Sequence, residues 1–214
     1  MTDRQSPLVE IDAPTQNPGV DGRTRLRIQE FPFRLHINIR GDKDNADFLS
    51  SVERVSGLAW PVEPNTVSRN GETCVSWLGP DEWLFITATD APVEHDLLEA
   101  LLGQHSSVVD LSGGQTVVRL SGAVWRDVLS SACPLDLHPR AFAINQCAQT
   151  VFAHTNVLLI RALSDPEADS FGEAGQAAVA VDAVDIVVRR SFADHVVRWI
   201  MDASEECGFE VLAS

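Results

Sequence analysis

The sequence contains no tyrosine and few basic residues, and each shortage narrows what the chain can do. Without tyrosine, one common proton donor of enzyme active sites is missing. Only 16 lysines and arginines stand against 31 aspartates and glutamates, which gives a net charge of −15. Because phosphate binding requires a basic surface, this balance argues against nucleic acid as a partner. An acidic surface suits solubility or a basic partner chain.

Long apolar runs are also missing, although apolar residues make up 44% of the 214-residue chain. The longest runs, such as Val157-Leu-Leu-Ile160, fall far short of the roughly 20 residues that a membrane-spanning helix needs. We therefore expect no membrane association. The apolar content is enough for a packed core, and the length allows one large domain or two of roughly 100 residues each.

Cysteine is scarce and its spacing is uninformative for metal or redox chemistry. The four cysteines, Cys74, Cys133, Cys147 and Cys207, form no C-x-x-C pair, and the chain is too long to be a miniprotein held together by disulfides. We interpret them as free thiols in a reducing compartment. Residues 1–22 are polar and lack the apolar run of a signal peptide, so we predict a disordered tail and a cytoplasmic protein.

Apolar periodicity predicts a first α+β lobe over residues 23–105. Its predicted elements are strands around 26–28 and 35–39, a helix from about Asn45 to Gly57, a hairpin over 74–86 and a helix over 92–102. The hairpin prediction rests on two apolar runs that flank Gly79-Pro80-Asp81-Glu82. It places Trp77 on one arm and Trp83 on the other.

A second α+β lobe is predicted over residues 106–214, with an exposed acidic insertion at 164–176. Its predicted elements are a hairpin of strands 108–111 and 116–121 around Ser112-Gly-Gly-Gln115, a helix containing Trp125, paired strands 146–153 and 156–162, a strand over 184–188 and a final helix. Ser191-Phe-Ala-Asp194 resembles a capping box that opens this helix, with Phe192, Val196 and Ile200 facing inward.

The two halves share one order of elements, which suggests an internal repeat. In each half a strand enters a helix and is followed by a proline-bearing loop, a β-hairpin and a second helix. This is the connectivity of a split βαβ, or ferredoxin-like, unit. We therefore predict an α+β protein built from two related lobes, joined near residues 103–107.

One loop, Cys133-Pro-Leu-Asp-Leu-His-Pro-Arg-Ala-Phe142, is unusually rich in apolar and charged side chains. Pro134 and Pro139 bias the residues before them towards extended geometry and remove two backbone donors, which predicts a stiff, extended connector. Leu135 and Leu137 would point one way, and Asp136 and His138 the other. Such a loop needs a surface to pack against, either its own core or another protein.

Few residue sets are suited to chemistry. Cys133, His138, Cys147 and His154 offer zinc-ligand types, but their spacing matches no compact zinc module. A Cys133–His138 dyad would be separated by about 16 Å in an extended stretch. Ser112-Gly113-Gly114 lacks the lysine of a P-loop, and no G-x-G-x-x-G follows a strand. We therefore expect no catalytic, metal-binding or cofactor-binding residue on this chain.

Four stretches resemble the gamma subunit family of heterotetrameric sarcosine oxidase. They are Trp77-Leu-Gly-Pro-Asp-Glu-Trp83-Leu, Cys133-Pro-Leu-Asp-Leu-His-Pro-Arg-Ala-Phe142, Cys147-Ala-Gln-Thr150 and Arg190-Ser-Phe-Ala-Asp194. The resemblance implies an assembly of alpha, beta, gamma and delta chains that oxidises sarcosine to glycine and hydrogen peroxide and passes a one-carbon unit to tetrahydrofolate. It implies FAD, FMN, NAD and zinc on the other subunits. It also implies the fold of the folate-binding T-protein of the glycine cleavage system.

These observations leave two functional hypotheses. In the first, the chain is a non-catalytic structural subunit that docks chiefly on alpha, with beta and delta in the same complex. The hypothetical docking residues are Trp77, Asp81, Trp83, Asp136, His138, Arg140 and Phe142. The alternative for the Cys133–Phe142 loop is that it only seals the core of its own lobe. In the second hypothesis, the chain is a stand-alone, T-protein-like aminomethyltransferase, for which Asp136 is the one candidate acid.

Overall fold

A computed structural model describes residues 4–11, 13–88, 93–163 and 182–213. The chain forms four α-helices and twelve β-strands within these ranges. In chain order they are β1 (Thr15–Asn17), β2 (Leu26–Phe31), β3 (Leu35–Arg40), α1 (Ala46–Ser56), β4 (Val67–Asn70), β5 (Thr73–Gly79), β6 (Glu82–Thr87), α2 (Val93–Ala100), β7 (Ser107–Asp110), β8 (Gln115–Gly122), α3 (Trp125–Ser130), β9 (Cys147–Phe152), β10 (Thr155–Leu163), β11 (Asp182–Arg189), α4 (Arg190–Ala203) and β12 (Phe209–Leu212). In these ranges no helix is long and apolar enough to cross a membrane.

One compact unit comprises residues 33–115 and 145–148 and contains a five-stranded sheet in the order β4-β5-β6-β3-β7. The paired strands are antiparallel. Across this sheet, β3 lies between β6 and β7, and β5 lies on the far side of β6. The strand of this sheet that comes first in the sequence is therefore an inner strand, which is the split βαβ arrangement that the sequence predicts.

Helix α1 begins and ends where its terminal residues dictate. The Asn45 side chain accepts hydrogen bonds from the backbone N–H groups of Asp47 (3.0 Å) and Phe48 (3.3 Å). These bonds satisfy two of the donors that the first helical turn leaves free. Gly57 ends the helix in the left-handed conformation at φ 69°, where a side chain would be strained. The predicted limits of this helix are confirmed.

Aromatic side chains fill the core of this unit. Phe48, Trp60 and Trp83 lie with ring centroids 5.4–6.2 Å apart, in tilted or edge-on arrangements that favour attraction between rings. The Trp83 indole N–H donates to the Pro61 carbonyl oxygen at 2.7 Å, so its one polar group is satisfied. Gly41 makes room for this packing, because a Cβ there would approach the Phe48 ring to 2.3 Å.

The other compact unit comprises residues 1–32, 116–144 and 149–214 and contains a seven-stranded sheet in the order β1-β12-β2-β8-β11-β10-β9. Here β8, β10 and β11 repeat the arrangement of β3, β5 and β6, and α3 and α4 take the places of α1 and α2. The last strand, β12, does not pair with β8 directly, because β2 lies between them. The predicted two-lobe α+β fold is confirmed, with one strand inserted into the second lobe.

The predicted lobe boundaries are wrong. The units meet in sequence at residue 115 rather than near 103–107, and residues 1–32 belong with the second half. The predicted hairpin around Ser112-Gly-Gly-Gln115 does not form, because β7 pairs with β3 while β8 pairs with β2. A glycine-rich turn fits a hairpin locally, but the partners available in the two sheets decide which strands pair.

The prediction of a disordered tail over residues 1–22 is also wrong. Strand β1 lies in this segment and pairs antiparallel with β12, with Gln16 opposite Glu210. Leu8 and Ile11 are buried. The segment is polar on average, but these few apolar residues and the free edge of β12 are enough to order residues 4–11 and 13–22. The predicted insertion at 164–176 lies outside the described residues.

Helix α4 differs from its prediction at its start and on its inner face. It begins at Arg190, directly after β11, and no side chain caps it, so Ser191 lies within the first turn rather than before it. The buried residues are Ala193, Val196, Val197 and Ile200. Phe192 is 45% exposed, because it lies one residue before Ala193 and so falls outside the buried face of the helix. The capping box and the inward Phe192 were therefore wrong.

Candidate functional site

The hairpin of β5 and β6 forms as predicted, with an irregular register between Trp77 and Gly79 next to its turn. Asp81 and Glu82 lie at this turn, and both carboxylates face the Arg40 guanidinium at 3.5 Å. The Asn38 side-chain amide also donates to Glu82 at 2.8 Å. Asp81 and Arg40 are both exposed, so the tip presents a polar surface with paired charges.

The two tryptophans of the hairpin have different environments. Trp83 is fully buried in the aromatic core, so it lies out of reach of a partner protein, and its predicted docking role is wrong. Trp77 is half-buried and packs against the same core. Its indole N–H is buried without a hydrogen-bond partner among the described residues. Of the predicted docking residues on this hairpin, Asp81 and the exposed part of Trp77 remain available.

The Cys133–Phe142 loop is not extended throughout, and its first half already bends at Leu135. From His138 onward it closes a helical turn, because the His138 carbonyl accepts from the backbone N–H groups of Ala141 (2.8 Å) and Phe142 (2.9 Å). Side chains support the bend. Asp136 accepts from the His138 N–H at 2.9 Å, and His138 Nδ1 accepts from the Arg140 N–H at 3.2 Å. Pro139 occupies a position in the turn where no N–H is needed, so the prediction of a fully extended connector is wrong.

The loop is anchored by its apolar residues. Leu137 and Phe142 are each 3% exposed, and the Leu137 carbonyl accepts from Arg126 Nε at 3.1 Å. Phe142 was a predicted docking residue, and its burial within the unit contradicts that role. The packing of these two side chains supports the alternative that this loop seals its own core.

Three polar side chains of the loop are exposed: Asp136, His138 and Arg140. The Arg140 guanidinium has no hydrogen-bond or ion-pair partner among the residues that the structure describes. Together, Asp136, His138 and Arg140 form a short polar surface above the buried Leu137 and Phe142. We call this polar surface the loop tip. The loop tip belongs to one compact unit and the β5–β6 hairpin to the other.

Cys133 and Cys147, the cysteines of the set considered for zinc, are both buried. Cys147 is buried, and burial raises the pKa of its thiol to about 12, so the reactive thiolate is disfavoured. Cys133 is also buried, with its sulfur 3.8 Å from the Thr150 hydroxyl. Over residues 4–11, 13–88, 93–163 and 182–213, no group of three or more histidine, cysteine or acidic side chains is arranged to hold a metal ion.

Sequence reasoning missed the buried charged residues of the seven-stranded sheet. Arg119 on β8 forms a bidentate ion pair with Asp185 on β11. Its Nε donates to Oδ1 at 2.6 Å, and its Nη2 donates to Oδ2 at 3.0 Å. The Glu30 carboxylate is buried on β2. A charged residue at an apolar position of an alternating strand is the signal that marks Glu30, since Leu26 and Ile28 precede it at the same spacing.

Comparison with known proteins first identifies the class of fold. Aminomethyltransferase T of the glycine cleavage system from Bartonella henselae is similar in structure, with a TM-score of 0.64 and 14% identity, over 98% of this chain and 59% of that one. At this identity the likeness shows the fold alone. The chain therefore has a T-protein-like fold, as the resemblance implies.

Sequence comparison then identifies the family. A sequence model described as "Sarcosine oxidase, gamma subunit family" matches residues 40–206. The sarcosine oxidase subunit gamma of Corynebacterium sp. (strain P-1) is 33% identical over 98% of this chain and 94% of its own length. The chain therefore belongs to the sarcosine oxidase gamma subunit family. A chain of the heterotetrameric sarcosine oxidase from Corynebacterium sp. U-96 has a TM-score of 0.78 and 29% identity, covering 95% of this chain and 96% of that one.

Proposed function

We propose that this chain is the non-catalytic, structural gamma subunit of a heterotetrameric sarcosine oxidase. The observation that carries the proposal is the similarity over almost the whole length of both chains to a chain of that complex, at a TM-score of 0.78. An isolated fold match would leave the function open. Similarity in sequence and structure over the full chain supports the same place in an assembly.

The environment of potentially reactive groups supports the non-catalytic role. His36 is fully buried, and burial lowers the pKa of its imidazole. Its Nδ1 lies 2.9 Å from the Gln115 side-chain oxygen, which makes it a packing element. The Cys147 thiol is held protonated by burial, so it is unsuited to nucleophilic attack.

In this proposal the other subunits carry FAD, FMN, NAD and zinc, and this chain carries no cofactor. The complex would oxidise sarcosine to glycine and hydrogen peroxide and pass the one-carbon unit to tetrahydrofolate in the cytoplasm. The gamma chain would dock chiefly on alpha through the loop tip and Asp81, because these groups are exposed on rigid supports. Arginine is a frequent anchor of protein interfaces, which singles out Arg140.

Copurification tests the proposal. The tagged chain is coexpressed with candidate alpha, beta and delta subunits, and the eluate is examined for all four chains and for flavin absorbance. The lone chain is assayed with sarcosine, with and without tetrahydrofolate, for peroxide and formaldehyde. We expect a yellow four-chain complex with activity and a colourless, inactive lone chain. Turnover by the lone chain above background would refute the structural role, and folate-dependent turnover would favour an aminomethyltransferase.

A further inference from the structure

A cavity of about 320 Å³ lies in the seven-stranded unit, between the N-terminal segment, β2 and the end of β12. Most of the residues that line it have apolar side chains, Ser6 and Glu30 supply the polar side chains, and polar atoms contribute a large part of the exposed lining. The principal apolar side chains are Leu8, Ile11, Ile28 and Val211. At about 30 Å³ per water molecule, the space corresponds to about ten waters. It lies within one compact unit and shares no residue with the loop tip or the β5–β6 hairpin.

Glu30 is in an energetically unfavourable place for a charge. It follows Leu26 and Ile28 on the buried face of β2, opposite Val118 of β8, and is itself 4% exposed. Burying a carboxylate is strongly unfavourable unless hydrogen bonds or a cation compensate for its lost hydration. An apolar residue would fill this position at no such cost, so the carboxylate is present for a reason other than packing.

Hydrogen bonds compensate Glu30 only in part. One carboxylate oxygen accepts from the Thr116 hydroxyl at 2.7 Å, and the other accepts from the Ser6 hydroxyl. Hydroxyl groups orient a carboxylate but do not neutralise it. No lysine, arginine or histidine pairs with Glu30 within the part of the chain that the structure describes. Each oxygen keeps acceptor capacity, since a carboxylate offers about four lone-pair sites.

We infer that this cavity binds a small organic cation, an alkylammonium whose N–H group pairs with Glu30 and whose hydrocarbon part lies against Leu8, Ile11 and Val211. A metal ion fits less well, because among the described residues the lining offers one carboxylate and one hydroxyl side chain, fewer oxygen ligands than such an ion usually takes. A zwitterionic amino acid fits less well too, because none of the described residues that line the cavity is basic and could meet its carboxylate.

The test is a titration of the purified full-length chain with n-butylammonium chloride, followed by calorimetry or ligand-observed NMR. 1-Butanol is the uncharged comparison, since it has the same hydrocarbon body. We expect the wild type to bind butylammonium at least tenfold more tightly than butanol. Glu30→Gln should abolish this preference and keep the fold, because the Ser6 and Thr116 hydroxyls can both donate and accept. The matched control is Glu205→Gln, which removes an exposed charge outside the cavity and should change nothing.

A second variant keeps the test decisive if Glu30→Gln fails to fold. Val9 lines the cavity and is 57% exposed, so Val9→Trp enlarges a side chain at the rim without entering the packed core. It should weaken butylammonium binding at least tenfold with little change in melting temperature. Equal binding of butanol and butylammonium by the wild type would overturn the inference. Tight butylammonium binding that survives Glu30→Gln or Val9→Trp would also overturn it.

Discussion

Replacement of Phe142 by alanine separates internal packing from docking in the Cys133–Phe142 loop. Phe142 is 3% exposed, so alanine leaves a cavity in the seven-stranded unit. Truncation of a buried phenylalanine costs about 3–5 kcal/mol. A domain of 150–250 residues loses about 2–4 °C per kcal/mol, so the melting temperature should fall by about 6–20 °C.

Arg140→Ala is the matched control, because Arg140 lies two residues away in the same loop and is exposed. A substitution of this kind changes stability by about 0.5 kcal/mol or less. Both variants are followed by thermal unfolding in circular dichroism, and then by recovery with alpha in a pull-down at a temperature where both are folded. We expect Phe142→Ala to melt early and still bind, and Arg140→Ala to melt normally and bind weakly. An unchanged melting temperature for Phe142→Ala would refute the packing argument, and normal binding by Arg140→Ala would remove the loop tip from the interface.

Three further predictions concern stability. Cys147→Ala removes a buried thiol and its contact with the Trp77 carbonyl oxygen at 3.3 Å, and should lower the free energy of unfolding by about 1–3 kcal/mol in urea titrations; no loss would contradict the contribution of this contact. Asn45→Ala removes the cap of α1 and should cost about 1 kcal/mol in the same assay, whereas exposed Asn70→Ala, outside any helix, should cost less than half as much. Burial lowers the pKa of His36 in the folded state, so the unfolded chain binds the extra proton and stability should fall as the pH drops below about 6.5. His36→Gln should flatten that fall, and an identical pH profile would show that His36 does not cause it.

Local sequence patterns were sufficient for features that depend on neighbours in the chain. The limits of α1 follow from Asn45 and Gly57, and the β5–β6 hairpin follows from the turn that contains Asp81. The repeated order of elements was enough to predict two related split βαβ lobes. The motifs at 77–84 and 133–142 were specific enough for the family, which the comparisons then confirmed.

Tertiary structure alone decided which strands pair and which side chains are buried. β7 and β8 enter different sheets although Ser112-Gly-Gly-Gln115 suits a hairpin, because strand pairing depends on partners far away in sequence. Trp83 and Phe142 are aromatic residues, a type that often anchors protein interfaces. Only the packed structure shows that both are buried within the chain. The alternation of β2 marks Glu30 as lying at a buried position, but its hydrogen-bond partners Ser6 and Thr116 are 24 and 86 residues away, so neither these partners nor the cavity follows from the local pattern. Burial is a property of the assembled sheet, and a single strand carries only the alternation that allows it.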